Sequence, residues 1–191
     1  DLSLADSAND ITRTTIERFG RIDVLINNAG VSSNKSLIAD TPDLEWNEII
    51  EVNLHGVFRM MKAVVPHMRQ QKKGNIVNIS SNITKRLAPT FGTYAISKAA
   101  LETMTQIVAK EEAANGIRVN AVAPGPIKTD MLEKLLKEMG AKRAKSFVDS
   151  MPMKRMGTAD EIANMVAMLT SDVASFVTGQ IIYVNGGGPG T

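Results

Sequence analysis

The sequence predicts an α/β domain in which helices cover both faces of a doubly wound parallel β-sheet. Stretches with helical apolar periodicity alternate with short, continuous apolar runs, a pattern typical of strands that are buried on both faces. A chain of 191 residues, with 43% hydrophobic and 22% charged residues, also suits a single globular domain.

The first predicted elements are a helix over residues 7–19 and a strand over residues 22–27. Apolar positions recur at helical spacing along the helix, and Gly20 favours the left-handed turn that ends it. The expected buried face of this helix consists of Ala8, Ile11, Thr15 and Phe19.

The middle of the chain predicts two further pairs of a helix and a strand. Residues 44–68 form a long helix that is apolar on most of its circumference, and the strand 75–80 follows. Residues 94–114 form a second long helix with two apolar faces, and it leads into the strand 117–123. We expect these strands to belong to one parallel sheet.

The last part of the chain starts with an irregular segment over residues 124–157. A capping box then begins a helix over residues 158–169, because the Thr158 hydroxyl and the Glu161 carboxylate can pair with free backbone N–H groups. Residues 181–184 form the last strand. Within the irregular segment, apolar residues recur at helical spacing at Met131, Leu132, Leu135, Leu136 and Met139.

The composition argues against several classes of function. The net charge is 22 − 20 = +2, which indicates neither nucleic acid nor an acidic surface as a partner. No apolar stretch reaches the 18 residues that suggest a membrane span. Cys is absent, which excludes disulfides, thiolate catalysis and zinc sites built on Cys, and is compatible with a cytoplasmic location.

Few side chains are available for proton transfer. His55 and His67 lie twelve positions apart on one predicted helix without a carboxylate at ligand spacing, so we expect structural roles and no metal site. Tyr183 falls in the last strand and is expected in the core. Tyr94 is followed four residues later by Lys98, whose ammonium can favour the phenolate, although Lys is common enough for this spacing to arise by chance.

Small or polar residues follow three of the predicted strands. Ser81 follows the strand 75–80, an Asn-Asn-Ala-Gly sequence occupies residues 27–30, and Pro124-Gly125 follows the strand 117–123. The carboxyl ends of parallel strands form the crevice in which open α/β sheets bind ligands, so these residues predict one shared site. An isolated serine here would more simply end a strand or cap a turn.

At these residues the chain resembles the short-chain dehydrogenase/reductase family, in the single-domain branch that includes 3-oxoacyl-carrier-protein reductases and related carbonyl reductases. The motifs occur in the family's order and spacing over essentially all 191 residues. They are Asn27-Asn28-Ala29-Gly30, Asn53 within VNLHG, Ser81 thirteen residues before Tyr94, Tyr94-Ala95-Ile96-Ser97-Lys98, Pro124-Gly125 followed by Thr129, and Thr178-Gly179-Gln180.

The resemblance implies a Rossmann-like fold and an NAD(P)-dependent oxidoreductase that interconverts a ketone and a secondary alcohol. Tyr94 would be the general acid or base, and Ser81 would hold the carbonyl oxygen. Lys98 would lower the pKa of Tyr94 and bind the nicotinamide ribose. The main-chain carbonyl of Asn53 would hold a water molecule that links Lys98 to solvent.

The resemblance also implies where the cofactor, NADP or NAD, would lie. Residues Asn28, Ala29 and Gly30 would lie along its ribose side, and the Asp1-Leu2 pair would meet its adenine. Neither the choice between NADP and NAD nor the substrate follows from the sequence. The nicotinamide and the pyrophosphate would contact Pro124, Gly125, Ile127 and Thr129.

One departure from the family pattern concerns the glycine-rich loop that holds the pyrophosphate. Nothing before Gly20 supplies it, and the glycines at 186–188 follow the last strand, with no helix after them. We therefore expect residues 1–191 to be one Rossmann-like domain that corresponds to the C-terminal three-quarters of the family's domain and lacks the first strands and the phosphate loop. A catalytically silent structural or binding chain of the same fold is the alternative.

Further expectations concern the substrate and the assembly. Residues 125–157 correspond to the family's substrate lid, and their Met content suggests a small, uncharged and fairly apolar carbonyl or alcohol substrate. The basic residues of this segment more simply form a solvated face than a docking site for a carrier protein. The apolar faces of the helices 44–68 and 94–114 suggest a homo-oligomer, a dimer or a tetramer, as in relatives.

Overall fold

The computed structural model describes residues 1–4 and 6–188, without the side chains of residues 131, 134 and 135. In these residues four strands form one sheet in the order β1-β2-β3-β4, and every neighbouring pair is parallel. The strands are β1 (Val24–Asn27), β2 (Gly74–Ile79), β3 (Ile117–Pro124) and β4 (Ile181–Val184).

Eight α-helices connect and cover these strands in the described part of the chain. None of them is long and apolar enough to cross a lipid bilayer. They are α1 (Ser7–Phe19), α2 (Asp43–Ile50), α3 (Gly56–Gln71), α4 (Ile83–Arg86), α5 (Gly92–Glu112), α6 (Asp130–Met139), α7 (Ala141–Ser150) and α8 (Ala159–Thr170).

The sheet has an apolar core on each face. On one face Ile76 and Val119 pack with Leu101 of α5 and with side chains of α1 and α3. On the other face Val77 and Val122 pack against α8. Because successive strand residues point to opposite faces, both faces must be apolar, which explains the continuous apolar runs in the sequence. The predicted α/β class with a Rossmann-like parallel sheet is confirmed.

The predicted buried face of α1 is wrong at two positions. Ile11 is 45% exposed and Phe19 is 66% exposed, whereas Thr12 is 4% exposed. The face that packs on α3 is formed by Ala8, Thr12 and the partly buried Ile16, which lie four residues apart. Helical spacing alone did not distinguish these two neighbouring stripes of the helix.

The long helix predicted over 44–68 is a composite of three segments. A π-helical turn, Glu51–His55, separates α2 from α3 and places Asn53 at its centre. The segment 124–157 is also more ordered than its composition suggested, because it forms the two helices α6 and α7. Gly140 (φ 79°) ends α6 and precedes α7. The polar sequence of α7 gave little apolar periodicity, which is why it was not predicted.

Candidate active site

A large cleft lies at the carboxyl ends of the strands. It encloses about 1170 Å³ and is walled by the loops after β1, β2 and β3, by α6 and by α8. Parallel strands bring their carboxyl ends to the same edge, as the register Asn27↔Asn78 and Ile79↔Val122 shows. The predicted site residues that line the cleft are Asn28, Ser81, Tyr94, Pro124, Gly125, Ile127 and Thr129.

Ser81 and Tyr94 both line this cleft, and the Ser81 hydroxyl lies close enough to the Tyr94 phenol to influence its pKa. Ser81 lies in the turn between β2 and α4, where the main-chain N–H of Ile83 donates to its Oγ over 3.2 Å. Tyr94 lies in the first turn of α5. Burial raises the pKa of the Tyr94 phenol, and the neighbouring Ser81 hydroxyl opposes part of that rise. The phenol is therefore protonated at neutral pH in this arrangement.

Lys98 lies one helical turn after Tyr94 and is 4% exposed. Its Nζ donates to the main-chain oxygen of Ile79 over 2.8 Å and lies 5.8 Å from the centroid of the Tyr94 ring. Burial lowers the pKa of Lys98 to about 8 because the charged form loses its water. The sequence paired these two residues, but only the fold brings Lys98 to the end of β2.

Asn53 is fully buried and connects three parts of the site. Its Oδ1 accepts from the main-chain N–H of Val31 over 2.8 Å, and its Nδ2 donates to the Val31 oxygen over 2.9 Å. The same Nδ2 donates to Ser97 Oγ on α5 over 3.1 Å. The π-helical turn thus fixes the loop after β1 to the helix that carries Tyr94.

Gly30 makes a close approach to these polar groups. A Cβ at this position would lie 3.1 Å from Asn53 Oδ1 and 3.4 Å from Lys98 Nζ. Any larger residue would thus project toward the ammonium and fill the space beside it. Among the described residues, only Ile79 O accepts a hydrogen bond from the Lys98 ammonium. Two of its three N–H groups can therefore serve a hydroxyl-rich ligand.

Of the predicted site residues, six are not among those that line the cleft in the described part of the chain: Asp1, Leu2, Ala29, Gly30, Asn53 and Lys98. Asp1 is exposed, and its Oδ1 accepts from the main-chain N–H of Ser3 over 2.9 Å. Leu2 packs against the apolar core, and its main-chain oxygen accepts from Arg59 Nη2 over 2.6 Å.

Several residues that the sequence analysis did not single out also line the cleft. Ser33 has a buried hydroxyl without a hydrogen-bond partner among the described residues. Lys35, in the loop after β1, lies 3.8 Å from Glu138 of α6 and so pairs two opposite walls of the cleft. Phe91, just before α5, adds an aromatic surface. These residues lie far apart in sequence and follow no motif.

The histidines do not form a metal site with neighbouring residues in the described ranges, where no cluster of three His, Asp or Glu side chains occurs. The expectation that no carboxylate lies at ligand spacing is wrong for His55, because Glu51 is one helical turn before it. His55 Nδ1 lies 2.8 Å from Glu51 Oε2, and Arg59 pairs with the same carboxylate. These two contacts hold the pKa of Glu51 below its usual value. The cluster stabilises the π-helical turn from its outer side.

Comparison with known proteins decides the family. A family model described as enoyl-(acyl carrier protein) reductase matches residues 1–188. The chain is 41% identical over 182 residues to the 3-oxoacyl-[acyl-carrier-protein] reductase of Thermotoga maritima, which covers 95% of this chain and 72% of that protein. The chain belongs to the short-chain dehydrogenase/reductase family. The resemblance inferred from the motifs is confirmed.

Solved structures of this family match the fold closely. Levodione reductase superposes with a TM-score of 0.94 at 36% identity and covers 98% of this chain and 74% of that one. Xylitol dehydrogenase with NAD⁺ bound has a TM-score of 0.91 at 31% identity, covering 98% and 76%. ElxO with NADP bound also has a TM-score of 0.91, at 34% identity, covering 98% and 75%. This short-chain dehydrogenase/reductase is an NAD(P)-dependent oxidoreductase, and the catalytically silent alternative is not favoured.

Proposed function

We propose that this chain reduces a ketone, or oxidises the corresponding secondary alcohol, at the Ser81–Tyr94 pair. The observation that carries the proposal is that these two residues lie together in the wall of the cleft, where the Ser81 hydroxyl acts on the pKa of the Tyr94 phenol. Two hydroxyls that meet in this way can both contact one carbonyl oxygen. A positioned acid and a second donor are what a developing alkoxide requires.

The proposed roles follow from the chemistry of each group. The Tyr94 phenol donates its proton to the carbonyl oxygen, and the Ser81 hydroxyl donates a hydrogen bond to the same oxygen. The Lys98 ammonium stabilises the phenolate that Tyr94 leaves behind. Asn53 holds the loop of Val31 in place through its side chain, and its main-chain carbonyl is the proposed acceptor for a water molecule that connects Lys98 to solvent.

A nicotinamide dinucleotide, NADP or NAD, supplies the hydride when it is bound. The residues present fit such a ligand, since Gly30 carries no side chain that would crowd Asn53 and Lys98, and the buried Lys98 ammonium, which donates to Ile79 O, has two further N–H groups for ribose hydroxyls. Asn28, Ala29 and Gly30 are proposed along the ribose. Pro124, Gly125, Ile127 and Thr129 are proposed along the nicotinamide and the pyrophosphate, and Asp1 and Leu2 at the adenine.

We propose that residues 125–157 form the lid of the substrate site within one domain over residues 1–191. Leu132 of α6 and Phe91 present apolar surface to the cleft, and the pairing of Lys35 with Glu138 leaves little net charge at its mouth. This lining suits a small, uncharged and fairly apolar carbonyl compound. The side chain of Met131, part of the predicted lid, lies outside the described residues. A substrate panel with a clear preference for charged sugars would contradict this substrate class.

The decisive experiment replaces Tyr94 with Phe. We expect Tyr94→Phe to lower kcat for ketone reduction at least about 100-fold, as the loss of a general acid does. Binding of NADPH or NADH, followed by nucleotide fluorescence, and thermal unfolding should stay unchanged, because the ring still fills its place. Full activity of Tyr94→Phe would overturn the proposal, and a wild-type chain that binds nucleotide but reduces no ketone would support the silent alternative.

We further propose that the protein is a homo-oligomer, a dimer or a tetramer, that works in the cytoplasm. Phe58 of α3 is 51% exposed, and Ile96 and Ile107 of α5 are 44% and 50% exposed, so both long helices present apolar side chains to the outside. Multi-angle light scattering that gives a monomer would contradict the oligomer. Cell fractionation that finds the protein outside the cytoplasm would contradict the location.

A further inference from the structure

A carboxylate lies directly behind the turn that carries Ser81. Glu102 of α5 is one helical turn after Lys98 and reaches the start of the turn between β2 and α4. Its Oε1 accepts from Ser80 Oγ over 2.7 Å and from Thr84 Oγ1 over 3.0 Å. The Tyr183 hydroxyl of β4 lies 3.4 Å from its Oε2. No motif of the sequence analysis included Glu102.

The partners of Glu102 stand on both sides of Ser81. Ser80 precedes it and is 3% exposed. Thr84 follows Ser81 in the chain, and its hydroxyl lies 3.1 Å from the main-chain oxygen of Ser81. The Thr84 hydroxyl is therefore shared between this oxygen and the Glu102 carboxylate. Hydrogen bonds to a carboxylate are shorter and stronger than those between neutral groups. Glu102 therefore restrains the main chain before and after Ser81.

Lys98 and Glu102 hold consecutive residues of the same strand end. Lys98 donates to the main-chain oxygen of Ile79, and Glu102 accepts from the hydroxyl of Ser80. Both come from α5, which also carries Tyr94. The separation of the Ser81 and Tyr94 hydroxyls thus depends on how α5 meets the end of β2, and of the two α5 side chains Glu102 holds the residue next to Ser81 in the chain.

We propose that Glu102 is a positioning residue that acts through Ser81, keeping its hydroxyl aligned with the Tyr94 phenol. The inference rests on the proposed function, because it assigns Glu102 a part in the same reaction. Tyr183 belongs to the same network: it was expected as a core residue, but its hydroxyl lies 3.4 Å from Thr84 Oγ1 as well as beside Glu102. The last strand is thereby connected to the serine turn.

The variants distinguish an effect of the Glu102 carboxylate from effects of side-chain volume and of any substitution on α5. Glu102→Ala removes both acceptor oxygens, whereas Glu102→Gln keeps one acceptor oxygen for Ser80 or Thr84 and should restore most of the activity. Thr84→Val removes the shared hydroxyl at nearly constant volume and serves if Glu102→Ala does not fold. Glu111→Gln, an exposed position on the same helix, is the matched control.

The experiment is a double-mutant cycle with Ser81→Ala, read as kcat and KM for ketone reduction. We expect Glu102→Ala to lower kcat roughly 10- to 100-fold in the wild-type background, as a small misalignment does, with little change in KM. In the Ser81→Ala background the same change should cost less than about threefold, because the group it positions is gone. Thr84→Val should show the same pattern, and Glu111→Gln should match the wild type.

Equal losses in both backgrounds would overturn the inference, since Glu102 would then act independently of Ser81. Unchanged kcat in Glu102→Ala would also overturn it. Thermal unfolding and nucleotide binding, measured on every variant, identify a loss that is due to unfolding, in which case the Thr84→Val cycle decides. If Ser81→Ala itself keeps full activity, the proposed function fails; if it is impaired and Glu102→Ala and Thr84→Val are not, only this inference fails.

Discussion

Lys98 donates through its ammonium to the main-chain oxygen of Ile79 over 2.8 Å, on the strand whose next turn carries Ser81. A single buried lysine thus contacts the strand end and lies near the Tyr94 ring. Burial of each side chain explains why the pKa of Lys98 falls to about 8 while that of Tyr94 rises. The two shifts go in opposite directions because burial penalises the charged form of each group.

These shifts predict the pH dependence of ketone reduction. The pKa of Lys98 is lowered to about 8, so its charge is present below that pH and is lost as the pH rises through it. Tyr94 keeps its proton in the same range, because its pKa is raised. We expect kcat/KM to fall above about pH 8 with a slope near one. In Lys98→Arg, whose guanidinium stays charged, this alkaline fall should disappear even if the overall rate is lower. A fall that stays at the same pH in Lys98→Arg would contradict the assignment.

The hydrogen bonds of Asn53 predict that its replacement lowers both the stability and the activity of the protein. Asn53→Ala leaves the N–H and the oxygen of the partly buried Val31 without their partner, and a group that stays unpaired costs about 1–3 kcal/mol. We expect a decrease of roughly 3 kcal/mol in the free energy of unfolding in urea, and a lower kcat, because the loop after β1 loses its connection to α5. Asn47→Ala, an exposed position on α2, is the control and should leave both unchanged. Equal stability of the two variants would contradict this role.

The ion pair between Arg69 and Glu112 predicts a pH-dependent contribution to stability. Glu112 is 2% exposed, accepts from Arg69 Nε over 2.8 Å, and has its pKa lowered chiefly by Arg69. A lowered carboxyl pKa stabilises the fold above the unfolded value of about 4.3, and this stabilisation is lost as the pH falls. Arg69→Met should therefore lower the urea midpoint at pH 7.

The same change should have a smaller effect at pH 4, because the Glu112 carboxyl of the variant, which has lost its arginine, takes up a proton more readily than the paired carboxylate of the wild type. Arg13→Met removes an arginine that is 62% exposed and paired only on the surface of α1, and should have little effect at either pH. A difference between Arg69→Met and the wild type that is as large at pH 4 as at pH 7 would show that the arginine acts through packing instead.

The capping box of α8 predicts a modest effect on stability that can be separated from nucleotide binding. Thr158 Oγ1 accepts from the Glu161 N–H over 3.3 Å, and Glu161 Oε2 accepts from the Thr158 N–H over 2.8 Å. Thr158→Ala should decrease the free energy of unfolding by about 1 kcal/mol. Thr158→Ser keeps the cap and should stay within about half of that loss. Nucleotide binding should persist in both, since Thr158 is not among the described residues that line the cleft. Equal unfolding curves for Ala and Ser would contradict the cap.

Much of the fold could be predicted because each strand carries its own signal. The apolar runs before Asn27, Ser80 and Pro124 each predicted a strand that the structure contains. The Thr158 cap predicted the start of α8 to within one residue. The π-helical turn around Asn53 and the helix α7 were not predicted. A π-helical turn leaves the apolar pattern of its helix almost unchanged, and α7 is too polar to show one.

The sequence by itself determined the fold class and the family, and it predicted the Ser81, Tyr94 and Lys98 set, because strand periodicity and short motifs are local properties. Only the tertiary structure decided which groups hold that set in place. Glu102, Thr84 and Tyr183 come from a helix, a turn and the last strand, and Lys35 meets Glu138 across the cleft. These contacts join residues that are distant in the chain, so they exist only once the strands and helices have packed against one another.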